Sequence, residues 1–347
     1  MKLRTESFEL QTIFEFRIAH GSRRAHRNTL VRIEHDGVEG LGEAAPSHYY
    51  GETEELVNAV LAAWAPALGT DPFALDEIDR RMDAVVEGQG AARAGLEMAL
   101  HDWIGKRLGQ PTWKLLGLDA ARCPRSCVTL GMASPDEMER KLETVRDFPL
   151  IKVKLGAPGD VENLRRIRAG YKGKLQVDAN TAWSAADAVR VLRQIEPLQI
   201  ELVEQPVPRG DLDGLSWVRA RSPIPVFADE SAHTLADIGL LAGRVDGVNL
   251  KIMKSGGVRP MLRMIHAARA HGMKVMLGSM VESSLALSAA AQLAPLVDYL
   301  DLDGHWLVKD DPFEGAPRDR GEIRLSERPG LGVVPAAVAA AKAGPAR

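Results

Sequence analysis

After about residue 120 the chain settles into a rhythm in which short apolar runs alternate with helical stretches. The runs are CVTLG, LIKVKLG, LQVDAN, IELVEQP, PVFADES, GVNLKIMKSGG, KVMLGSM and DYLDLDG. Eight strand-like runs separated by helices are what a closed (β/α)₈ barrel requires. A doubly wound open sheet also alternates. It would carry a Gly-rich phosphate turn after its first strand, and CVTLGMASPD is not one.

The first part of the chain reads differently. Residues 9–18 and 28–35 are rich in β-branched and aromatic side chains, and Asp36-Gly37 turns the chain into a third extended run ending near Leu41. Helical patterns follow at about 52–67, 74–87 and 90–107. The last stops at Gly109, with Pro111 behind it. Strands followed by helices indicate an α+β domain. The expected fold class is therefore α/β, a (β/α)₈ (modified TIM) barrel with an α+β N-terminal domain. The expected divisions are 1–120 for the α+β domain, 121–318 for the barrel, and 319–347 for a C-terminal segment that returns to the first domain.

Composition bounds the rest. With 347 residues, 45% of them hydrophobic, the chain can bury a large core. A formal charge of −3 and the lack of a basic run argue against nucleic acid and membrane surfaces as partners. The N-terminus, MKLRTESFEL, lacks the apolar core of a signal peptide, and no apolar run reaches the length of a membrane span. Two cysteines, Cys123 and Cys127, do not make a disulfide framework, so a cytoplasmic location is expected.

In such a barrel, catalytic residues sit at the C-terminal ends of the strands. Runs three, four and five end in Asp178, Glu204 and Asp229, spaced 26 and 25 residues apart, one βα unit each. One acid at a strand end is an ordinary turn or cap residue. Three in register on adjacent strands would repel one another strongly in a partly desolvated mouth, and they call for a cation. Hard oxygen ligands favour Mg²⁺, with Mn²⁺ as the alternative.

Lysines flank the triad. Lys154 lies one unit before it and Lys251 one unit after it, so they approach a substrate from opposite sides. A carbon next to a metal-held carboxylate is acidified, and a lysine can remove its proton once its own pKa falls toward neutrality. Lys152 lies two residues from Lys154 on the same strand face, where like-charge repulsion would lower the pKa of Lys154. Lys254 lies near Lys251 and is expected to support it or to contact only the loop SGG. One lysine removes the proton and the other returns one to the opposite face, which suits epimerisation.

The set KxK (Lys152, Lys154), DAN (Asp178, Asn180), EQP (Glu204), ADES (Asp229, Glu230) and NLKIMKSGG (Lys251, Lys254) resembles the enolase superfamily, within it the muconate lactonising subgroup. The resemblance covers nearly the whole chain, including GLGEAAP at 40–46 and the following SHYYGET, and implies that the N-terminal domain caps the barrel and shapes specificity. The subgroup contains cycloisomerases, o-succinylbenzoate synthases, N-acylamino acid racemases and dipeptide epimerases. Asp301-Leu-Asp303 at the end of run eight resembles the dipeptide epimerases, where this pair binds the substrate's free α-ammonium. Two carboxylates on one strand face can clamp a cation. The loop RIAHGSRRAHR, with Arg17, Arg23, Arg24 and Arg27, is similar to that of Ala-Glu epimerases, with Arg23 at the position that meets the glutamate side chain. Its extra basic residues depart from the commoner pattern. Met280 and Glu282, in GSMVESS, are candidates for the pocket wall.

The expectation is thus a Mg²⁺-dependent epimerase of a dipeptide such as L-Ala-D/L-Glu, acting by proton transfer between two lysines. The alternatives are N-acylamino acid racemase, o-succinylbenzoate synthase-type or cycloisomerase activity, or a non-catalytic small-molecule binding protein on the same scaffold. Homo-oligomers are common among such barrels, but nothing in the sequence specifies one.

Overall fold

The computed structural model describes residues 1–18, 21–316 and 318–336, and gives the backbone alone for 14–18, 21–23 and 318. The first three strands, β1 (Lys2–Ile18), β2 (Gly21–His35) and β3 (Val38–Ala44), form an antiparallel sheet. β1 starts seven residues earlier than the apolar pattern suggests, because Lys2–Phe8 pairs residue for residue with Asn28–Glu34. Backbone pairing extends a strand through a polar stretch such as KLRTES, which composition alone reads as a terminus. Asp36 and Gly37 both take positive φ, 48° and 73°, as a tight hairpin turn needs.

Three helices follow: α1 (Glu54–Trp64), α2 (Leu75–Val85) and α3 (Gly90–Leu108). α3 lies directly on β3. A Cβ at Gly40 or Gly42 would stand only 2.0 or 1.9 Å from the carbonyl oxygens of Ala99 and Gly95, so the two backbones touch where side chains are missing.

Eight parallel strands then form the barrel: β4 (Val128–Leu130), β5 (Leu150–Lys154), β6 (Lys174–Asp178), β7 (Ile200–Glu204), β8 (Val226–Ala228), β9 (Gly247–Lys251), β10 (Lys274–Gly278) and β11 (Tyr299–Asp301). Cys127 N–H donates to Leu300 O (3.0 Å) and Ser126 bridges Leu300, which joins the first strand to the last. After β11 the chain returns to the antiparallel sheet as β12 (Val308–Lys309), alongside β1. Among the described residues, no helix is long and apolar enough to cross a membrane.

Two buried carboxylates fasten the N-terminal layer to the barrel. Glu43 of β3 accepts from Ser283 N (3.1 Å), Ala286 N (3.4 Å) and Ser283 Oγ at the start of the helix Ser284–Ala291. Glu97 of α3 accepts from Val258 N (2.6 Å) and Arg259 N (3.0 Å) at the start of the helix Val258–Ala270. Each places a negative charge against the unsatisfied amides of a helix N-terminus.

Glu97 is also paired with His101, 3.3 Å away and one turn along α3. Burial pulls the His101 pKa down, but the Glu97 charge and hydrogen bonds outweigh it and lift the imidazole above its ordinary 6.5. Burial pushes Glu97 up, yet the His101 charge, its hydrogen bond and the two amides hold it below 4.5. The carboxylate's contribution to stability is present above pH 4.5 and lost on acidification through its lowered value; the histidine's is present below pH 6.5 and lost as pH rises through its raised value. His101→Gln should therefore cost about 3 kcal/mol at about pH 6, and the gap in melting temperature should shrink as pH is raised. Circular dichroism melts between about pH 6 and 9 test this; a gap that stays constant across that range would contradict it.

Candidate active site

Parallel register builds the site. Lys154 of β5 pairs with Asp178 of β6, which pairs with Glu204 of β7. On the far side, Lys251 of β9 pairs with Gly278 of β10, which pairs with Asp301 of β11. These residues thus share one level at the C-terminal mouth, and Asp229 enters it just beyond β8.

Asp178, Glu204 and Asp229 are buried, and one carboxylate oxygen of each lies within 4.8 Å of the other two. Their charges are unequally supported. Burial would raise Asp178 and Asp229, but Lys154 and Lys152 hold Asp178 below the usual range, and Lys251 with Lys254 holds Asp229 well below it. Glu204 goes the other way: burial and the neighbouring Asp178 push it well above the usual range. Beside them Glu230 is pushed up to about 7 by burial and by Asp229 and Asp178. Asn180, at φ 42°, donates its backbone N–H to Asp178 Oδ1 (2.8 Å) and its side-chain amide to Glu230 Oε1 (3.2 Å). Asn180 Oδ1 and Glu230 Oε2 are buried without a hydrogen-bond partner. Buried oxygen acceptors in excess of donors fit a hard divalent cation, and three convergent carboxylates that leave room for water or substrate oxygens fit Mg²⁺.

The lysines stand on either side. Lys154 Nζ is 2.5 Å from Asp178 Oδ2, and Lys251 Nζ is 2.8 Å from Asp229 Oδ2. Burial pulls Lys251 down, but Asp229 and Glu204 outweigh it and raise it above its ordinary value. Lys152 is not the bare like-charged neighbour of Lys154 that strand spacing suggests. Its ammonium is hydrogen-bonded to Asp301 and lies 3.3 Å from Glu204 Oε2 and 3.6 Å from Asp178 Oδ2. At 1% exposure it is one of the largest fully buried side chains, and three carboxylates around one ammonium explain how it stays charged. Lys254 takes the supporting one of the two roles expected of it. It reaches Asp229 Oδ1 (2.5 Å), Asp229 O (2.6 Å) and Asn249 O (3.0 Å), so it holds an acid of the triad rather than contacting only the glycine loop.

Asp301 and Asp303 lie together beside β4, in unequal surroundings. Asp301 Oδ1 accepts from Cys127 Sγ (3.0 Å) and Thr129 Oγ1 (3.3 Å), and its Oδ2 from Lys152. Asp303 Oδ2 accepts Thr129 N–H (2.6 Å), and burial with the nearby Asp301 pushes it up to about 6. Sequence reasoning missed Cys127 and Thr129. Their spacing of two already put them on one strand face, but a neutral strand gave no reason to look there. It also missed a cluster at the mouth, where Tyr50 stacks on His233 (4.5 Å between centroids) with the Arg209 guanidinium 5.2 Å from the Tyr50 ring. Burial, and then Asp229 and Glu230, raise Tyr50, which marks its closeness to the acids.

Met280 is half-buried, and its N–H donates to Glu282 Oε1 (2.9 Å). Glu282 is fully buried, pushed up to about 8 by that burial, and so is not an open wall of the mouth. The side chains of Arg17 and Arg23 lie outside the described residues. Arg24 is exposed, and Arg27 pairs with Glu54 at 3.0 Å.

Residues 5–117 match the family described as the mandelate racemase/muconate lactonizing enzyme N-terminal domain, and residues 136–339 match the enolase C-terminal domain-like family. The chain belongs to the mandelate racemase/muconate lactonizing enzyme group of the enolase superfamily. This enolase superfamily member is 39% identical to the L-Ala-D/L-Glu epimerase of Bacteroides thetaiotaomicron, over 96% of this chain and 88% of that one. Its fold superposes on a substrate-liganded complex of the L-Ala-D/L-Glu epimerase from Bacillus subtilis with a TM-score of 0.92 at 30% identity, covering 96% and 98% of the two chains. It also superposes on the dipeptide epimerase of Enterococcus faecalis, complexed with Mg and L-Leu-L-Tyr, with a TM-score of 0.91 at 30% identity and the same coverage.

For this superfamily member, saturating Mg²⁺ should raise the melting temperature, by about 2.7 kcal/mol in stability at a hundredfold excess over Kd. Glu204→Gln should lose that increment. In EDTA the variant should melt no lower than the wild type, because the amide keeps an acceptor for Asn249 Nδ2, which now donates to Glu204 Oε1 (2.9 Å), and replaces a buried carboxyl whose ionisation burial and Asp178 oppose. An undiminished Mg²⁺ response in the variant would rule Glu204 out as a ligand.

Proposed function

We propose that the chain is a dipeptide epimerase that inverts the carbon next to the substrate's carboxylate by proton transfer between Lys154 and Lys251. The observation that carries this reading is the opposition of the two lysines across the carboxylate triad, with Asp301 and Asp303 at the same mouth. Mg²⁺, or Mn²⁺ in its place, held by Asp178, Glu204 and Asp229, would supply the positive charge that acidifies the substrate carbon. Lys154 takes the proton from one face. Lys251 delivers one to the other face, and the roles reverse for the opposite epimer. Lys152 and Lys254 keep the triad oriented through their contacts with Glu204 and Asp229. Asp301 and Asp303 receive the free ammonium of the dipeptide. Arg23 is the residue assigned to a glutamate side chain, and Met280 to the wall of that pocket. The residues before about 120 cap the barrel, together with the tail. The free cysteines Cys123 and Cys127 fit a cytoplasmic enzyme.

A second reading has one observation in its favour. Asp301 already shares its charge with Lys152, Cys127 and Thr129, as a residue that only braces the barrel would. On that reading the substrate lacks an ammonium, and the activity is racemisation of an N-acylamino acid.

A dipeptide library in D₂O with Mg²⁺ distinguishes the two. Epimerisation with deuterium incorporation is expected for dipeptides; exchange of N-succinyl amino acids alone would move the assignment to the racemase. Asp303→Asn should raise KM for dipeptides about tenfold or more, the cost of a charge-assisted contact of about 1.5–3 kcal/mol, and leave N-acylamino acids unaffected. Lys154→Ala and Lys251→Ala should each lower inversion by about 10²–10⁴-fold, while one-sided α-proton exchange survives through the remaining lysine. Full epimerisation in either variant would sink the two-lysine scheme.

A further inference from the structure

The two lysines are anchored by different parts of the molecule. Lys154 ends β5, and the loop after it is tied within the barrel, where Asp160 accepts from Gly156 N (2.6 Å) and Ala157 N (2.8 Å). Lys251 ends β9, and the chain beyond it is gripped by the N-terminal layer. Ile252–Ser255 make a single helical turn that closes on Gly256 at φ 87° and Gly257 at φ 119°, both disfavoured for L side chains. A Cβ at Gly257 would stand 2.6 Å from both Cβ and Oε2 of Glu97 on α3. A Cβ at Gly90, the first residue of α3, would stand 2.6 Å from Met253 O. Ala45 N–H points at Met253 Sδ (3.3 Å).

The contact at Gly257 leads to the Glu97 carboxylate. It is 3% exposed, and it binds the amides of Val258 and Arg259, the first residues after the glycine pair. At the near end of the segment, Lys254 is pinned to Asp229. Lys251 therefore sits on a short segment clamped once to the triad and once to the N-terminal layer.

We infer that Glu97 is a positioning residue for Lys251: through the Val258 and Arg259 amides it fixes the Gly256-Gly257 turn, and with it the approach of Lys251 to the substrate. The inference rests on the two-lysine reading and adds a direction to it. Loosening Glu97 affects the half-reaction that uses Lys251 and spares the one that uses Lys154. A group that only stabilises the helix would affect both equally or neither.

The test measures α-proton exchange in D₂O by NMR, with kcat and KM for each epimer of one dipeptide, in the full-length protein with Mg²⁺. Misplacing a reacting group by ~1 Å costs about a hundredfold, so a partial shift in Glu97→Gln should lower Lys251-dependent exchange by about tenfold. KM and Mg²⁺ affinity by calorimetry should stay within about twofold. Two backgrounds isolate the half-reactions. In Lys154→Ala, adding Glu97→Gln should slow the remaining exchange by the same factor; in Lys251→Ala it should change nothing. Glu97→Asp, which keeps the charge beside His101 but shortens its reach, should show the same asymmetry and carries the test if the glutamine variant does not fold. Equal losses in both backgrounds, or a lower melting temperature with no loss in either, overturn the inference alone. A wild type that exchanges neither dipeptides nor N-succinyl amino acids overturns the two-lysine reading and the inference with it.

Discussion

The mouth of the barrel is governed by a balance of buried charge. Lys152, Lys154, Lys251 and Lys254 face Asp178, Glu204, Asp229, Glu230, Asp301 and Asp303, all of them buried. Six carboxylates against four ammonium groups leave two excess negative charges if every group ionises. An uncompensated charge at this depth costs several kcal/mol, so the excess has to be relieved. Protons relieve it in part, as the upward shifts of Glu204, Glu230 and Asp303 indicate. A divalent cation relieves it without protonating the carboxylates that accept from the lysines, and the charge of Mg²⁺ matches the excess.

The same balance explains why the lysines sit where they do. Each is buried next to an acid that it keeps ionised, and each acid keeps a lysine from paying its full desolvation cost. Removing a lysine leaves its acid uncompensated and adds to the excess, so the set behaves as a unit. Parallel register makes that unit possible, because neighbouring strands place their final side chains on one level. The N-terminal layer supplies what the barrel cannot. Glu43 and Glu97 cap the helices that follow β10 and β9, so the loops carrying Met280 and Lys254 are fixed from above the mouth as well as from the strands.

Much of this was legible in the sequence because barrel strands end where their chemistry is. A run that closes on DAN, EQP or ADES announces both a strand and its functional residue. The eight-strand rhythm and the triad follow from spacing alone. Partner choice does not. Lys152 and Asp301 are 149 residues apart in the chain, and no local pattern relates them. Like-charge repulsion between Lys152 and Lys154 is therefore the natural expectation from strand spacing, which does not reveal the three acids from other strands that surround Lys152. Which of its two expected roles Lys254 takes is hidden for the same reason, since Asp229 lies 25 residues away. The Tyr50, His233 and Arg209 cluster joins three distant loops, each with an unremarkable sequence. The early start of β1 was hidden because pairing, not apolar pattern, extends that strand.

The unequal surroundings of Asp301 and Asp303 bear on how a substrate ammonium would be held under the proposed function. Asp301 is held ionised by Lys152, against the pull of burial. Its charge is largely spent within the protein. Asp303 has Thr129 N–H as a hydrogen-bond donor, and burial leaves it near the protonated range at about 6. A cation arriving beside Asp303 would therefore gain more than one arriving beside Asp301, since Asp301 is already bonded to an ammonium group and Asp303 to a neutral amide. Asp301 is tied to Lys152, which links it to Glu204 and Asp178 by a single side chain. The pair that looks symmetric as Asp-Leu-Asp is, in three dimensions, one acid bonded to a backbone amide and one counter-ion tied through Lys152 to the triad.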